Sequence, residues 1–290
     1  MSRTVVIKLG TSSIIDETTH SIRYSLVQDV ASTIAALRDS GCRVVLVSSG
    51  AVGFGLQQMG FASRPDNLSG KQALSAIGQA EMILMWSKVF AQRGITVAQV
   101  LLTHDDIASP ERYDNAVRTL NELLSIGVVP IVNENDTVST KEIQIGDNDT
   151  LGAITTVMIR ASYLFLLTDV DALYESNPKY DVNASRIHFV TSISSLKDRI
   201  DSSNLGPGST SGTGGMATKL RAAEIASEAG IFTVLASSSR PSVVSDILKY
   251  YDDEPMLDSI SMMSESFSVS GDSKGVRPLH TLFIPDNFLP

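Results

Sequence analysis

The stretch TVVIKLGTSS, residues 4 to 13, decides how the rest of the chain is read. Thr4, Val5, Val6, Ile7 and Leu9 are apolar or β-branched, with one lysine, Lys8, among them. A run without polar alternation reads as a strand covered on both faces, the habit of a parallel sheet. Gly10-Thr11-Ser12-Ser13 then form a turn of small and hydroxyl-bearing residues. That turn stands at the strand's carboxyl end, the edge where open α/β sheets bind ligands, and it suits phosphate oxygens. A strand-end lysine is ordinarily a solvated charge, but Lys8 has apolar neighbours and leads into this turn.

The same kind of run recurs as RVVLVSS (43 to 49), ITVAQVLL (95 to 102), VVPIVN (128 to 133), YLFLLT (163 to 168) and IFTVLA (231 to 236). Amphipathic or apolar segments lie between them. Residues 26 to 38 carry Leu26, Val30, Ile34 and Leu37 on one stripe, open with a Ser25-x-x-Gln28 capping box and stop at Gly41. Residues 69 to 93, with Met82, Leu84, Met85, Trp86 and Phe90, form a helix whose large side chains are core packing and which ends at Gly94. Ser109-Pro110 opens another helix that closes at Gly127. Strand alternating with helix predicts an α/β fold, a sheet covered by helices.

Composition narrows the classes of function. A chain of 290 residues, 43% hydrophobic and 19% charged, can bury one large core or two lobes sharing an interface. A net charge of -9 argues against nucleic acid or an anionic membrane as partner, since such surfaces recruit Lys and Arg. No apolar run approaches the ~20 residues of a membrane span, and the start shows no leader pattern, so the cytoplasm is the expected location. The single cysteine, Cys42, has no internal disulfide partner and reads as a packing thiol.

Four further stretches carry polarity where a core needs little. DSSNLGPGSTSGTGGMAT (201 to 218) holds five glycines and precedes the helical run KLRAAEIASEAG. Alone it is an ordinary linker, but it enters a helix N-terminus bearing Lys219, where free N–H groups and the helix dipole favour an anion. It is neither a Walker A loop nor a dinucleotide fingerprint. SSGAVGFG (48 to 55) and NENDTV (133 to 138) add small polar turns at two more strand ends. EIQIGDNDTLGA (142 to 153) sets Asp147, Asn148 and Asp149 side by side, a pattern that in isolation reads as a solvated turn.

Taken together, VVIKLGTSS, VSSGAVGFG, VNENDTV, IGDNDTLGA, LLTDVDALY and GTGGMATKLRAA resemble, in order and spacing, the glutamate 5-kinases of the amino acid kinase family. The resemblance covers roughly residues 3 to 250. It implies a three-layer α/β sandwich with a mainly parallel open sheet of about eight strands. The lobe formed by residues 1 to 160 would bind glutamate, and the lobe formed by 161 to 290 would hold ATP. HTLFIP (280 to 285) resembles the last strand of that domain, and residues 252 to 279 look like a surface insertion. Too little chain follows Tyr250 for the PUA domain that many bacterial members carry, so none is expected.

The implied reaction moves the γ-phosphoryl group of ATP to the side-chain carboxylate of L-glutamate, the first step of proline synthesis. That nucleophile is ionised at neutral pH, its pKa being ~4.3, so no general base is needed. His20, His104, His188 and His280 accordingly lie outside the motifs. The resemblance puts Lys8 on the transferring phosphoryl group, Lys219 on the phosphate charge from the nucleotide side and Asp149 between the two ammonium groups, with Mg2+ bridging the phosphates. It puts Ser49, Gly50, Ala51, Asn133, Asp136, Asp147 and Asn148 around glutamate, Asp136 accepting from the α-ammonium. Asp147 alternatively caps the helix that starts near Asn148. Lys8, Gly10, Thr168 and Asp169, with Thr213, Gly214, Gly215, Met216, Ala217, Thr218 and Lys219, fall on the nucleotide. Asp171 and Tyr174 either line that site or shape a turn. Family habit adds proline as feedback inhibitor, homo-oligomers (dimer or tetramer) and a downstream reductase. An aspartate-type acyl-phosphate kinase and a catalytically silent proline or glutamate sensor are the competing readings.

Overall fold

Strand and helix alternate along much of the computed structural model, which describes residues 3–16, 18–19, 21–139, 147–178, 180–181, 183–197, 200, 215–253 and 277–288. The first half runs β1 (Thr4–Leu9), α1 (Thr11–Ile14), α2 (Tyr24–Asp39), β2 (Arg43–Ser48), α3 (Ala51–Met59), α4 (Leu68–Ala91), β3 (Val97–Leu102), α5 (His104–Ala108), α6 (Pro110–Ser125) and β4 (Val129–Glu134). After α7 (Asn148–Met158) come β5 (Tyr163–Thr168), β6 (Leu173–Tyr174), β7 (Arg186–Ile187), β8 (Phe189–Val190) and α8 (Ile193–Lys197). The described chain closes with α9 (Met216–Glu228), β9 (Phe232–Ser237), α10 (Val243–Asp253), β10 (Thr281–Phe283) and a short 3-10 turn.

Eight strands form one sheet in the order β3-β4-β2-β1-β5-β9-β10-β8. Every neighbouring pair is parallel except β9 with β10. The layers follow from residue parity along β1, since successive side chains point to opposite faces. Val5, Ile7 and Leu9 pack with α2, α4 and α10 on one face. Val6 packs with α6, α7 and α9 on the other. Lys8 has the parity of Val6 and stands under α7, where Gly152 faces its Cβ and Cγ.

The strand order also fixes where a site can lie. β1 pairs with β2 on one side and β5 on the other, so the chain leaves it in one direction and returns in the other. Such a switch point opens a crevice outside the carboxyl ends of the two strands, and Lys8, Gly10 and Thr168 are all at that edge.

Several expectations shift. α2 begins at Tyr24, and Arg23, its N-cap, makes no side-chain cap bond, so Ser25 and Gln28 lie inside the helix and form no capping box. A Ser-x-x-Gln pattern forms the box only where the serine has the non-helical cap conformation. Thr103 and Asp106 make one instead at the start of α5. Leu84 is 45% exposed although its neighbours Met82, Met85, Trp86 and Phe90 are buried. β3 is an edge strand with most of its residues only partly covered, despite an apolar sequence that reads as buried on both faces. The sequence reading gave no β8 and no β6–β7 hairpin, each strand of which has two residues.

Candidate active site

Two buried lysines share one fully buried carboxylate at this crevice. Lys8 comes from the end of β1, Asp149 from the first turn of α7 and Lys219 from the first turn of α9. Lys8 Nζ lies 2.5 Å from Asp149 Oδ1, and Lys219 Nζ lies 3.2 Å from Oδ2. Thr218 also donates to Oδ2, at 2.7 Å. Asp149 is 0% exposed, Lys8 5% and Lys219 8%. Burial alone would push the Asp149 carboxyl up, but the two ammonium groups and the Thr218 hydroxyl overcome it and hold the pKa at about 2. Burial lowers that of Lys219; Lys8 adds to the effect and Asp149 opposes it.

The charges do not cancel. Two ammonium groups and one carboxylate leave the cluster itself net positive in a nearly dry place, with the exposed Asp169 carboxylate acting on Lys219 from outside it, and an anion would complete the arrangement. Gly10 keeps a path open to that charge, since a Cβ there would stand 3.6 Å from Lys8 Nζ.

One side of the crevice is built by α3, α4 and the end of β4. Gly50 takes φ 116° and turns the chain sharply into α3, whose N-terminus carries no side-chain cap. α3 and α4 touch backbone to backbone. A Cβ on Gly78 would come within 1.8 Å of Ala51 O, and one on Gly55 within 2.0 Å of Leu74 O. This interlock brings two polar side chains of α4 into the site. Ser75 donates to Asp136 at 2.7 Å, and Gln79 accepts from Asn133 Nδ2 at 2.8 Å. Asn148 Nδ2 donates to Ser49 Oγ at 2.7 Å and to Asn133 Oδ1 at 2.8 Å. Burial raises the Asp136 pKa, with the Ser75 hydrogen bond opposing.

Asp147 is the N-cap of α7: it accepts from Thr150 N at 2.8 Å and from Thr150 Oγ1 at 3.0 Å. On the other side, Thr168 ends β5 and donates to Asp169 at 3.0 Å. Ser238 N donates to Thr168 O, and Ser13 donates to Ser238 at 3.0 Å, tying the turn after β1 to the end of β9. Gly215, Met216, Ala217 and Thr218 lead into Lys219. Thr213 and Gly214 lie outside the described residues, as does most of the 252 to 279 segment. Asp171 and Tyr174 bond one another at 2.7 Å and meet Arg186, bracing the β6–β7 hairpin. Ser75 and Gln79 escaped the sequence reading, which took α4 as apolar packing; their spacing of four beside Gly78 is the signal for a shared polar face.

A model of the amino acid kinase family matches residues 3–237. The chain belongs to the amino acid kinase family. It is 44% identical to a probable glutamate 5-kinase of Schizosaccharomyces pombe over 96% of its length and 68% of the relative's. It is 45% identical to a glutamate 5-kinase of Synechococcus elongatus over 86% of its length and 67% of the relative's. Among solved structures, a carbamate kinase from Giardia lamblia bound to AMP-PNP superposes with a TM-score of 0.61 at 18% identity, covering 86% of this chain and 95% of that one. A UMP kinase from Ureaplasma parvum does so with 0.60 at 13% identity, covering 98% and 99%. These two share the family's fold. Among the described residues no helix is long and apolar enough to cross a membrane.

Proposed function

We propose that this chain is a glutamate 5-kinase: it transfers the γ-phosphoryl group of ATP to the side-chain carboxylate of L-glutamate, giving glutamyl 5-phosphate and ADP. The observation that carries the reading is the net-positive Lys8–Asp149–Lys219 cluster at the switch point of the sheet. A carboxylate nucleophile is ionised at neutral pH, so the reaction asks for charge stabilisation and positioning, not a base. Two like charges ~4 Å apart at an effective dielectric of ~20 repel by about 4 kcal/mol, and each ammonium placed between them offsets a similar amount. Lys8 faces the transferring phosphoryl group from the acceptor lobe and Lys219 from the nucleotide lobe. Asp149 holds both in place before substrate arrives, so little reorganisation remains for the transition state.

Gly10 and the turn after it accept the phosphates, and Thr168 and Asp169 begin the nucleotide contacts. The uncapped start of α3, from Ser49 to Ala51, offers donors to a carboxylate of glutamate. Asp136 accepts from its α-ammonium, and Asn133, Asp147 and Asn148 complete the pocket. Magnesium would arrive with the nucleotide, and the chemistry it would supply is positive charge on the phosphates beside Lys8 and Lys219. Both oxygens of Asp149 are occupied by ammonium groups, which fits a cation carried in by its own phosphates. Residues 1 to 160 form the glutamate lobe and 161 to 290 the ATP lobe. Proline competes in the glutamate pocket, the enzyme self-associates as a dimer or tetramer in the cytoplasm, and a reductase consumes the labile product.

The test is ATP consumption by the purified chain with magnesium and L-glutamate, L-aspartate or acetylglutamate. Turnover with L-glutamate alone is expected. Aspartate-dependent turnover assigns the aspartate-type reaction instead, and glutamate or proline binding without turnover assigns a sensor.

A further inference from the structure

Three side-chain amides and one hydroxyl run in series through the acceptor pocket, and the series has a direction. Asn133 Nδ2 donates to Gln79 Oε1, Asn148 Nδ2 donates to Asn133 Oδ1, and the same Asn148 Nδ2 donates to Ser49 Oγ. Turning any one amide over would set donor against donor or acceptor against acceptor, so the three turn only together. The run of three amides leaves one unused group at each end: among the described residues Gln79 Nε2 and Asn148 Oδ1 are both buried without a partner. Gln79 itself is 8% exposed. Buried orphans of this kind are costly and are retained where something else is gained.

The gain lies at the Ser49 end. Because Ser49 Oγ accepts from Asn148, its own hydrogen is free to point away from the network. Ser49 immediately precedes the uncapped start of α3, so its hydroxyl joins the α3 N–H groups as one more donor. Asn148 Oδ1, left as an acceptor, suits an ammonium group and stands beside the first turn of α7. Reversing the chain would make Ser49 donate inward and present Asn148 Nδ2 outward, which inverts both preferences. Among the described residues no other acceptor takes the Asn133 Nδ2 hydrogen bond, so that end of the arrangement is held by Gln79 Oε1.

We propose that Gln79 is a positioning residue for acceptor recognition: its Oε1 accepts from Asn133 and, through Asn133 and Asn148, holds the hydrogen-bond arrangement in which the Ser49 hydroxyl is left to donate to the substrate's carboxylate. The inference rests on the acceptor being an amino acid bound between α3, α4 and α7. Ser75, one turn earlier on the same face of α4, holds Asp136 and so places the ammonium-binding group beside this network. α4 thus orients both halves of the pocket without supplying a group to the phosphoryl transfer.

The experiment compares Gln79→Met, which keeps bulk but removes the acceptor, with Gln79→Glu, which keeps an acceptor for Asn133. KM for L-glutamate, KM for ATP and kcat are measured after unfolding curves establish that each variant is folded. Gln79→Met should raise the glutamate KM by about tenfold or more and leave the ATP KM within about twofold, the loss expected when one hydrogen bond to a charged group is given up. Gln79→Glu should recover most of this, to within about threefold of the parent, because direction and not the identity of the amide is what matters. An unchanged glutamate KM in Gln79→Met overturns the proposal, as does an equal rise for both substrates. Should Gln79→Met fail to fold, Gln79→Glu alone decides, since a tenfold rise there contradicts the polarity argument. If the parent does not turn over L-glutamate, the activity assignment fails and L-glutamate binding by calorimetry decides instead: a Kd about tenfold weaker in Gln79→Met supports the proposal, and an unchanged Kd overturns it.

Discussion

Replacing Asp149 with asparagine changes the shape of the site very little and its electrostatics a great deal. The carboxylate is fully buried and bonded to both lysines and to Thr218. With asparagine there, the cluster's charge rises from one to two positive charges. Two ammonium groups ~6 Å apart at an effective dielectric of ~20 repel by about 3 kcal/mol. A second route gives a similar size. The carboxyl is held at about 2 against an ordinary 3.8, a difference worth about 2 kcal/mol of folding stability. Because the folded pKa is depressed, that stability is fully present above the unfolded value and is lost as pH falls through about 2. Removing one partner of a buried ion pair costs about 3 to 5 kcal/mol in measured cases. Asp149→Asn should therefore lose about 3 kcal/mol at pH 7, lowering Tm by roughly 6 to 12 °C for a chain of this size. The gap from the parent should stay constant from pH 7 to 5 and narrow only in strong acid. With the lysines released, kcat should fall on the order of 100-fold or more. Chemical denaturation of the ligand-free protein and steady-state kinetics read both effects. A variant within about 1 kcal/mol of the parent that also keeps its kcat would refute the shared-carboxylate account.

Gly78→Ala should cost about 1 to 3 kcal/mol and raise the acceptor KM more than the ATP KM, because the new Cβ pushes α4 off Ala51 at the start of α3; denaturation and kinetics check both. Asp136→Asn should raise the glutamate KM with little change in kcat. In the parent, burial raises the Asp136 pKa, so glutamate affinity should begin to fall, as pH is lowered, at a higher pH than an ordinary carboxylate would give; a pH series of KM tests this. Asp147→Ala should lose about 1 kcal/mol through its cap on Thr150, and Asp147→Ser should recover most of it. If Asp147→Ser restores stability but not the glutamate KM, the carboxylate also touches substrate.

What the sequence disclosed and what it withheld divide along physical lines. The long strands were legible because strands covered on both faces lose their polar alternation, and Pro110, Gly94 and Gly127 mark helix ends by conformations few other residues take. The face occupied by Lys8 follows from its parity with Val6, once helices are known to cover both sides. Phe189–Val190 was not legible, since two residues carry no period. Nor was the antiparallel turn of β10, which is settled by pairing with β9 and leaves no local mark. In the site, Lys8, Asp149 and Lys219 were traceable through their motifs, but the bond from Thr218 to Asp149 spans 69 positions and follows only from α7 packing on α9. Ser75 and Gln79 were hidden because they sit in a helix dominated by Met, Leu and Trp. Ser25-x-x-Gln28 misled because its residue types are those of a cap while its place is inside the helix.

The measurement that tests the central claim most directly is hydroxylamine trapping with ATP, magnesium and L-glutamate, on the parent chain and on Lys8→Ala and Lys219→Ala variants shown to be folded. The account predicts a hydroxamate from the parent, and a yield at least about 100-fold lower from each variant, since each removes one of the two charges that offset the repulsion. ATP turnover without hydroxamate, or full hydroxamate formation without either lysine, would contradict it.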